Sequence, residues 1–280
     1  MHLSLSAYGQ DGPMSDQPGY DPLMQAYAGM ISVTGEPNGG PTRVGGSVVD
    51  FGTGMWAALS VLAALRERDR TGTGAALEAS LMDTSLAWVS YHMMGFIATG
   101  RVPGPMGSSL GAIAPYRAFP TSDGYVMIAA GNDAIFRRFC VALELAGVAD
   151  DPRFRSNSER VANRAILDSI VEAATECMTT DDLLERTKEH AIPASAIQSI
   201  DQVVADPQVD AAGMFPRVEH PDLAGYRDVS LPLRMNGERP RAEEVPPARG
   251  QHSVEILQEL GLDEGEIKVL SERGVISSSR

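Results

Sequence analysis

Ala75-Ala76-Leu77-Glu78-Ala79-Ser80-Leu81-Met82-Asp83-Thr84-Ser85-Leu86-Ala87-Trp88 reads as a short strand, Ala75 to Leu81, running straight into an amphipathic helix, Thr84 to Thr99. A strand feeding a helix is the building unit of α/β architecture. Asp83 stands at the junction with apolar or small residues on both sides. A carboxylate among side chains bound for a core must be capped, paired or employed, because burying it bare is costly. As a helix N-cap it would accept a hydrogen bond from a backbone N–H two or three residues on. The same place suits chemistry: a helix N-terminus favours negative charge, and a partly dehydrated carboxylate is a usable nucleophile or base. Local sequence leaves both roles open.

Upstream, Leu3, Leu5 and Ala7 alternate with Ser4 and Ser6 as a strand does. Two turn-rich clusters follow, Gly9-Gln10-Asp11-Gly12-Pro13 and Gln17-Pro18-Gly19-Tyr20-Asp21-Pro22, then a short helix from Leu23 to Met30. Val44 to Asp50 suits either a strand or an extended lead into a helix, and Met55 to Arg68 is a helix with Met55, Leu59, Leu62 and Leu65 on its apolar face. Downstream, the Gly- and Pro-rich stretch Gly100 to Pro115 marks a domain boundary, an active-site loop, or both. Tyr116 to Phe119 and Tyr125 to Ala130 form a hairpin around Thr121-Ser122-Asp123-Gly124. Helices over Ala134 to Leu145, Arg160 to Cys177 and Asp181 to His190 precede a strand at Ile192 to Ile197. Asp201 to Asp206 is helical, Pro216 to Glu219 and Tyr226 to Pro232 are strands, and a proline-rich crossing from Arg239 to Gly250 leads to helices Ser253 to Leu260 and Asp263 to Arg273.

Composition narrows the function classes. The net charge of −14 argues against a nucleic-acid or anionic-membrane partner. Two distant cysteines, Cys140 and Cys177, suit a reducing, cytoplasmic setting, and five scattered histidines offer no metal-ligand spacing. No apolar run reaches the length of a membrane span, and no secretory leader precedes the opening strand.

Two motifs invite other chemistries. Gly52-Thr53-Gly54-Met55-Trp56-Ala57 has the Gly-x-Gly-x-x-Ala form of a dinucleotide turn, but Gly45, Gly46 and Asp50 make a poor buried strand before it. Gly107-Ser108-Ser109-Leu110-Gly111 spells Gly-x-Ser-x-Gly, yet the prolines at 103, 105 and 115 place it in a loop rather than at a strand–helix elbow. A mobile Gly/Ser loop that closes over a ligand remains reasonable there. Arg101, Arg153 and Arg160 are scattered and are expected to face water.

With these segments in hand, the chain resembles the class III coenzyme A transferases, the CaiB/BaiF group that includes formyl-CoA transferase and alpha-methylacyl-CoA racemase. The matching stretches run in order through Gly9-Gln10-Asp11-Gly12-Pro13, Pro18-Gly19-Tyr20-Asp21, Val33-Thr34-Gly35-Glu36-Pro37, Arg70-Thr71-Gly72-Thr73-Gly74 and Ser80-Leu81-Met82-Asp83. They continue through Ala114-Pro115-Tyr116, Gly131-Asn132, Asp151-Pro152-Arg153-Phe154 and Ala205-Asp206-Pro207-Gln208-Val209.

The resemblance implies an α/β fold: the later part of a Rossmann-like large domain over 1–112 carrying Asp83, a small α+β domain over 113–200, and a C-terminal return to the large domain over 201–280. It implies an interlocked homodimer and a CoA transferase that moves CoA between an acyl-CoA and a carboxylic acid. Asp83 would form an anhydride and then an aspartyl-CoA thioester, with no cofactor besides the coenzyme A thioester that is the substrate. Tyr20, Gly107, Ser108 and Ser109 are the implied substrate- and CoA-binding residues, with Gly107 to Gly111 the loop that excludes water. A racemase of the same family is the alternative, disfavoured because its Gly-His-Asp is Gly19-Tyr20-Asp21 here and a tyrosine, with a pKa near 10, is a poor proton-exchange partner. The loop also lacks the family's common Asn-x-His-Pro. Because the chain opens where the family is already under way, an N-terminally truncated product is expected. It would be either inactive alone or completed by a separate N-terminal chain.

Overall fold

The computed structural model describes residues 1–240 and 245–277; part of the proline-rich crossing and the last residues of the serine-rich tail lie outside them. The chain divides into two compact units, Met1–Ile197 and Gln198–Arg280.

The first unit opens with strand β1 (His2–Ser6), which pairs in parallel with β2 (Ala76–Ser80), His2 opposite Ala76 and Ser6 opposite Ser80. Parallel strands need a long crossover, and here helices α1 (Asp21–Tyr27), α2 (Met30–Val33) and α3 (Val48–Thr71) supply it. Helices α4 (Leu81–Trp88) and α5 (Ser90–Thr99) follow β2. Met24, Met30, Val49, Leu81 and Val89 form a buried cluster between these helices.

A second cluster in the same unit fills the space behind a three-stranded antiparallel sheet. The sheet comprises β3 (Tyr116–Pro120), β4 (Tyr125–Ala129) and β5 (Ala194–Ala196) in that order, with Tyr116 opposite Ala129 as the hairpin reading requires. Helices α6 (Asp133–Ala142), α7 (Asn157–Ala162), α8 (Arg164–Thr175) and α9 (Thr180–Glu189) surround Phe119, Phe136, Phe139, Phe154 and Leu167. In the second unit, α10 (Ile200–Ala205) and α11 (Pro207–Ala212) precede an extended stretch, and α12 (Ser253–Glu259) and α13 (Glu264–Glu272) close it. The expected α/β class is what the molecule adopts.

Several local expectations are corrected. The helix from Thr84 to Thr99 starts three residues earlier, at Leu81, and breaks at Val89, whose side chain is buried. The helix from Arg160 to Cys177 is interrupted at Asn163, whose amide donates to Glu159 O (2.9 Å) and competes with the backbone ladder. The two strands at 216–219 and 226–232 reduce to one antiparallel bridge, Arg217 to Arg227.

α3 departs furthest. It begins at Val48, so the Gly-x-Gly-x-x-Ala stretch lies inside a helix rather than in a strand–helix turn, which removes the dinucleotide reading. Its buried side carries Val49, Gly52, Thr53, Ala57 and Ala64, while Met55, Leu59 and Leu62, expected to face the core, point to solvent. The reason is close packing: a Cβ on Gly52 would lie 2.8 Å from Trp88 Cζ2 and 3.0 Å from Thr84 Cγ2, so the small side alone can approach α4. With both sides apolar, α3 is long and apolar enough to cross a membrane by length and composition, contrary to the sequence expectation that no run is.

Candidate functional site

Asp83 owes its place to Ser80. The last residue of β2 keeps an extended backbone and its Oγ accepts the Asp83 N–H at 3.0 Å, making Ser80 the N-cap of α4. Met82 N–H is spent on Ala7 O (2.9 Å), which ties the helix start to the end of β1. Leu81, Thr84 and Ser85 are buried, and Thr53 Oγ1 on α3 donates to Thr84 Oγ1 at 2.8 Å. That pins the inner face of α4 and turns Asp83 outward. Its carboxylate is exposed and accepts no hydrogen bond from any described residue. The capping reading of Asp83 therefore fails, as does its supposed burial.

A carboxylate that is buried beside these helices is Asp21, 2% exposed. Its Oδ2 accepts the N–H groups of Val49 (2.7 Å) and Asp50 (3.2 Å), and its Oδ1 accepts Gln25 Nε2 (2.6 Å). Ser47, the residue in the N-cap position of α3, provides no side-chain bond, so Asp21 caps α3 from a distance. Gln25 Oε1 then accepts Val44 N–H at 2.9 Å, fixing the chain that leads into α3. Within Pro18-Gly19-Tyr20-Asp21, Gly19 permits close packing, since a Cβ there would stand 2.6 Å from Ala7 Cβ. Tyr20, an expected binding residue, precedes α1 with its side chain 73% exposed.

The Gly/Ser loop is ordered by many backbone bonds. Gly107 holds φ +61°, its N–H donates to Gly35 O (2.8 Å), and a Cβ would meet the Glu36 carboxylate at 2.8 Å, so glycine is favoured. Ser108 Oγ accepts Ala118 N–H (2.9 Å), and Ser109 N–H donates to Met106 O (3.0 Å). Ser108 is thus committed to the backbone of β3. Among the described residues, Asp83 shares no hydrogen bond with Tyr20, Gly107, Ser108 or Ser109. A largely apolar groove of about 570 Å³ lies beyond the far end of α4, lined by Met30, Phe51, Met55, Trp88 and Tyr91 among others and by none of these five.

Arg160 is the clearest residue missed in sequence. Far from facing water, it is completely buried over the Phe136 ring, 4.5 Å from its centroid. It donates to Ala114 O (2.8 Å), Phe154 O (3.0 Å), Gly131 O (2.7 Å) and Asp133 Oδ1 (2.9 Å). Three family-like stretches, at 114–116, 131–132 and 151–154, thus meet at one guanidinium. No local signal marks it, because two of the carbonyls it meets lie 29 and 46 residues away. In the last stretch the Arg153 guanidinium holds the Asp151 carboxyl below the usual carboxylate range.

The profile of CoA-transferase family III matches residues 1–253. The chain is 35% identical over 260 residues to a succinate–glutarate CoA-transferase of Agrobacterium fabrum, covering 93% of this chain and 65% of that one. It is 31% identical over 277 residues to the human succinyl-CoA:glutarate CoA-transferase, covering 99% and 63%. Among solved structures, a CaiB/BaiF family protein from Brucella suis superposes with a TM-score of 0.77 at 34% identity, covering 92% of this chain and 67% of that one. The chain therefore spans just under two thirds of the length of these curated relatives.

Proposed function

The chain belongs to CoA-transferase family III, and from that premise we propose that it moves CoA between an acyl-CoA and a carboxylic acid with Asp83 as nucleophile. One observation carries the choice of residue: Asp83 presents a free, exposed carboxylate in the first turn of α4, where negative charge is favoured and no structural bond competes for it. A carboxylate oxygen adds to the thioester carbonyl, the carbon–sulfur bond breaks, and CoA leaves as thiolate with an aspartyl–acyl anhydride formed. The thiolate then attacks the Asp83 carbonyl and expels the donor acid, leaving an aspartyl-CoA thioester. An acceptor carboxylate repeats the two steps in reverse, so that Asp83 is restored and the acceptor carries CoA. Splitting one hard exchange into four easier acyl transfers is the advantage of covalent catalysis.

The names of the Agrobacterium and human relatives support a dicarboxylic acid as substrate, with succinyl-CoA the first donor to try. The loop from Gly107 to Gly111 is assigned to water exclusion and Tyr20 to the rim of the substrate site. The reading carries with it a homodimeric, cytoplasmic enzyme with no cofactor besides the CoA thioester.

The test is to incubate the protein with succinyl-CoA, quench with hydroxylamine and map the peptides by mass, while following glutaryl-CoA formation from added glutarate. A hydroxamate at Asp83 and loss of exchange in Asp83→Asn are expected. An adduct at another residue, or exchange that survives Asp83→Asn, overturns the assignment.

A further inference from the structure

Residues 107–114 contain neither helix nor strand, so their carbonyl groups must find partners elsewhere. Three side chains from α7 and the start of α8 take five consecutive ones. Arg164 Nη2 lies 2.9, 3.2 and 2.8 Å from the carbonyl oxygens of Leu110, Gly111 and Ile113. Asn157 Nδ2 donates to Ala112 O (2.9 Å) while its Oδ1 accepts Ala114 N–H (3.1 Å), and Arg160 Nε takes Ala114 O.

The two arginines differ in kind. Arg160 is a core residue whose other bonds knit α6 and the 151–154 turn, so its loss is a folding defect. Arg164 is only partly buried, and every side-chain hydrogen bond it makes among the described residues goes to the loop. Its Nη1 is buried without a partner, a cost accepted to bring Nη2 to the point where three carbonyl dipoles converge. Without a positive centre those dipoles would repel one another, and the stretch from Leu110 to Ile113 would be held only by its backbone bonds and by Asn157.

We propose that Arg164 is the positioning residue of the 107–113 loop, holding it in the one conformation that keeps water from the covalent intermediate. This rests on the CoA-transfer reading. Water that reached the aspartyl-CoA thioester would add its oxygen to the carbonyl carbon and break the carbon–sulfur bond. CoA would leave as the thiol with the Asp83 carboxyl restored, and one thioester would be lost for each water consumed. Arg164 then sets the partition between transfer and hydrolysis without touching substrate.

The experiment compares the full chain with Arg164→Gln and Arg164→Lys by hydrogen exchange and by product ratio. In Arg164→Gln the hydrogen-bonded amides of Gly107, Ser109, Leu110, Ile113 and Ala114 are expected to exchange about tenfold faster, the effect of losing one net hydrogen bond. Amides of β4, and those of β3 other than Ala118, whose N–H donates to Ser108 Oγ in the loop, stay unchanged, and free CoA released from succinyl-CoA rises relative to glutaryl-CoA formed. Arg164→Lys restores part of both, keeping the charge but losing the planar fork. Should Arg164→Gln fail to fold, the lysine variant carries the comparison, with the same shifts at smaller size. Unchanged loop exchange overturns the positioning role, and faster exchange with an unchanged hydrolysis ratio overturns the water-exclusion role. A wild-type chain that transfers nothing fails the CoA-transfer reading instead, and loop exchange alone then upholds or overturns the clamp.

Discussion

Asp21 and Asp83 are predicted to respond in opposite ways to loss of their carboxylates. Asp21 is 2% exposed and accepts three hydrogen bonds, two of them from the first turn of the 24-residue α3. Asp21→Ala removes a helix cap, about 1 kcal/mol. It also strands the buried Gln25 amide without an acceptor, adding about 2 kcal/mol. A combined loss of about 3 kcal/mol corresponds to a fall in Tm of about 6–12 °C for a unit of this size. Asp21→Asn keeps the shape but substitutes a donor for one acceptor and should fall between. Asp83→Asn, by contrast, removes a carboxylate with no described partner and should change stability by no more than about 0.5 kcal/mol. Thermal and urea unfolding followed by circular dichroism measure all three. An Asp21→Ala protein that melts with the wild type would refute the distant cap. An Asp83→Asn protein destabilised by about 2 kcal/mol or more would show that carboxylate to be engaged in the fold and would remove the ground for assigning it a chemical role.

Gly52→Ala places a methyl 2.8 Å from Trp88, and the overpacking should outweigh the helix-propensity gain, for a net loss of about 1 kcal/mol. The near-ultraviolet dichroism of the tilted Trp56–Trp88 pair, 6.4 Å apart, should change with it, and an unaltered spectrum would contradict the packing. Burial pushes the Cys140 thiol up to about 11, whereas Cys177 is exposed, so a thiol reagent at pH 8 should modify one cysteine in the folded protein and the second only on unfolding. Equal rates would be the contrary result. Thr180 donates its N–H and hydroxyl to Asp123 (both 2.8 Å), holding that carboxyl below its ordinary value. A depressed folded value means the stabilisation is complete above the unfolded pKa, about 3.9, and is lost as the pH falls through the lower folded one. The urea midpoint difference between wild type and Asp123→Asn should therefore shrink below about pH 4. A difference constant from pH 6 to pH 2 would oppose the assignment.

Much of the architecture is legible locally. Alternation marks β1, and the Thr121-Ser122-Asp123-Gly124 turn between two apolar runs gives the β3–β4 hairpin with its register. The ordered stretches around Asp83 give the family, because many short matches in one order are far more specific than any one of them. The candidate site is legible to the extent that Asp83 and the loop at 107–111 stand out as residues. Their environments are not. The apolar stripe Met55, Leu59 and Leu62 reads as a core face, yet the core lies on the small-residue side, since a helix apolar on both sides carries no mark of which one packs.

By itself, the sequence determines most of the succession of strands and helices in the first unit and the family to which the chain belongs, which depend on neighbours along the chain or on order. Only the tertiary structure decides that Asp21 rather than Asp83 is buried, that Arg160 lies in a core, and that Arg164 holds the loop. A polar side chain's fate is set by the groups that come to meet it. Those groups lie 28 and 29 residues from Asp21, 46 from Arg160 at Ala114, and 51 to 54 from Arg164.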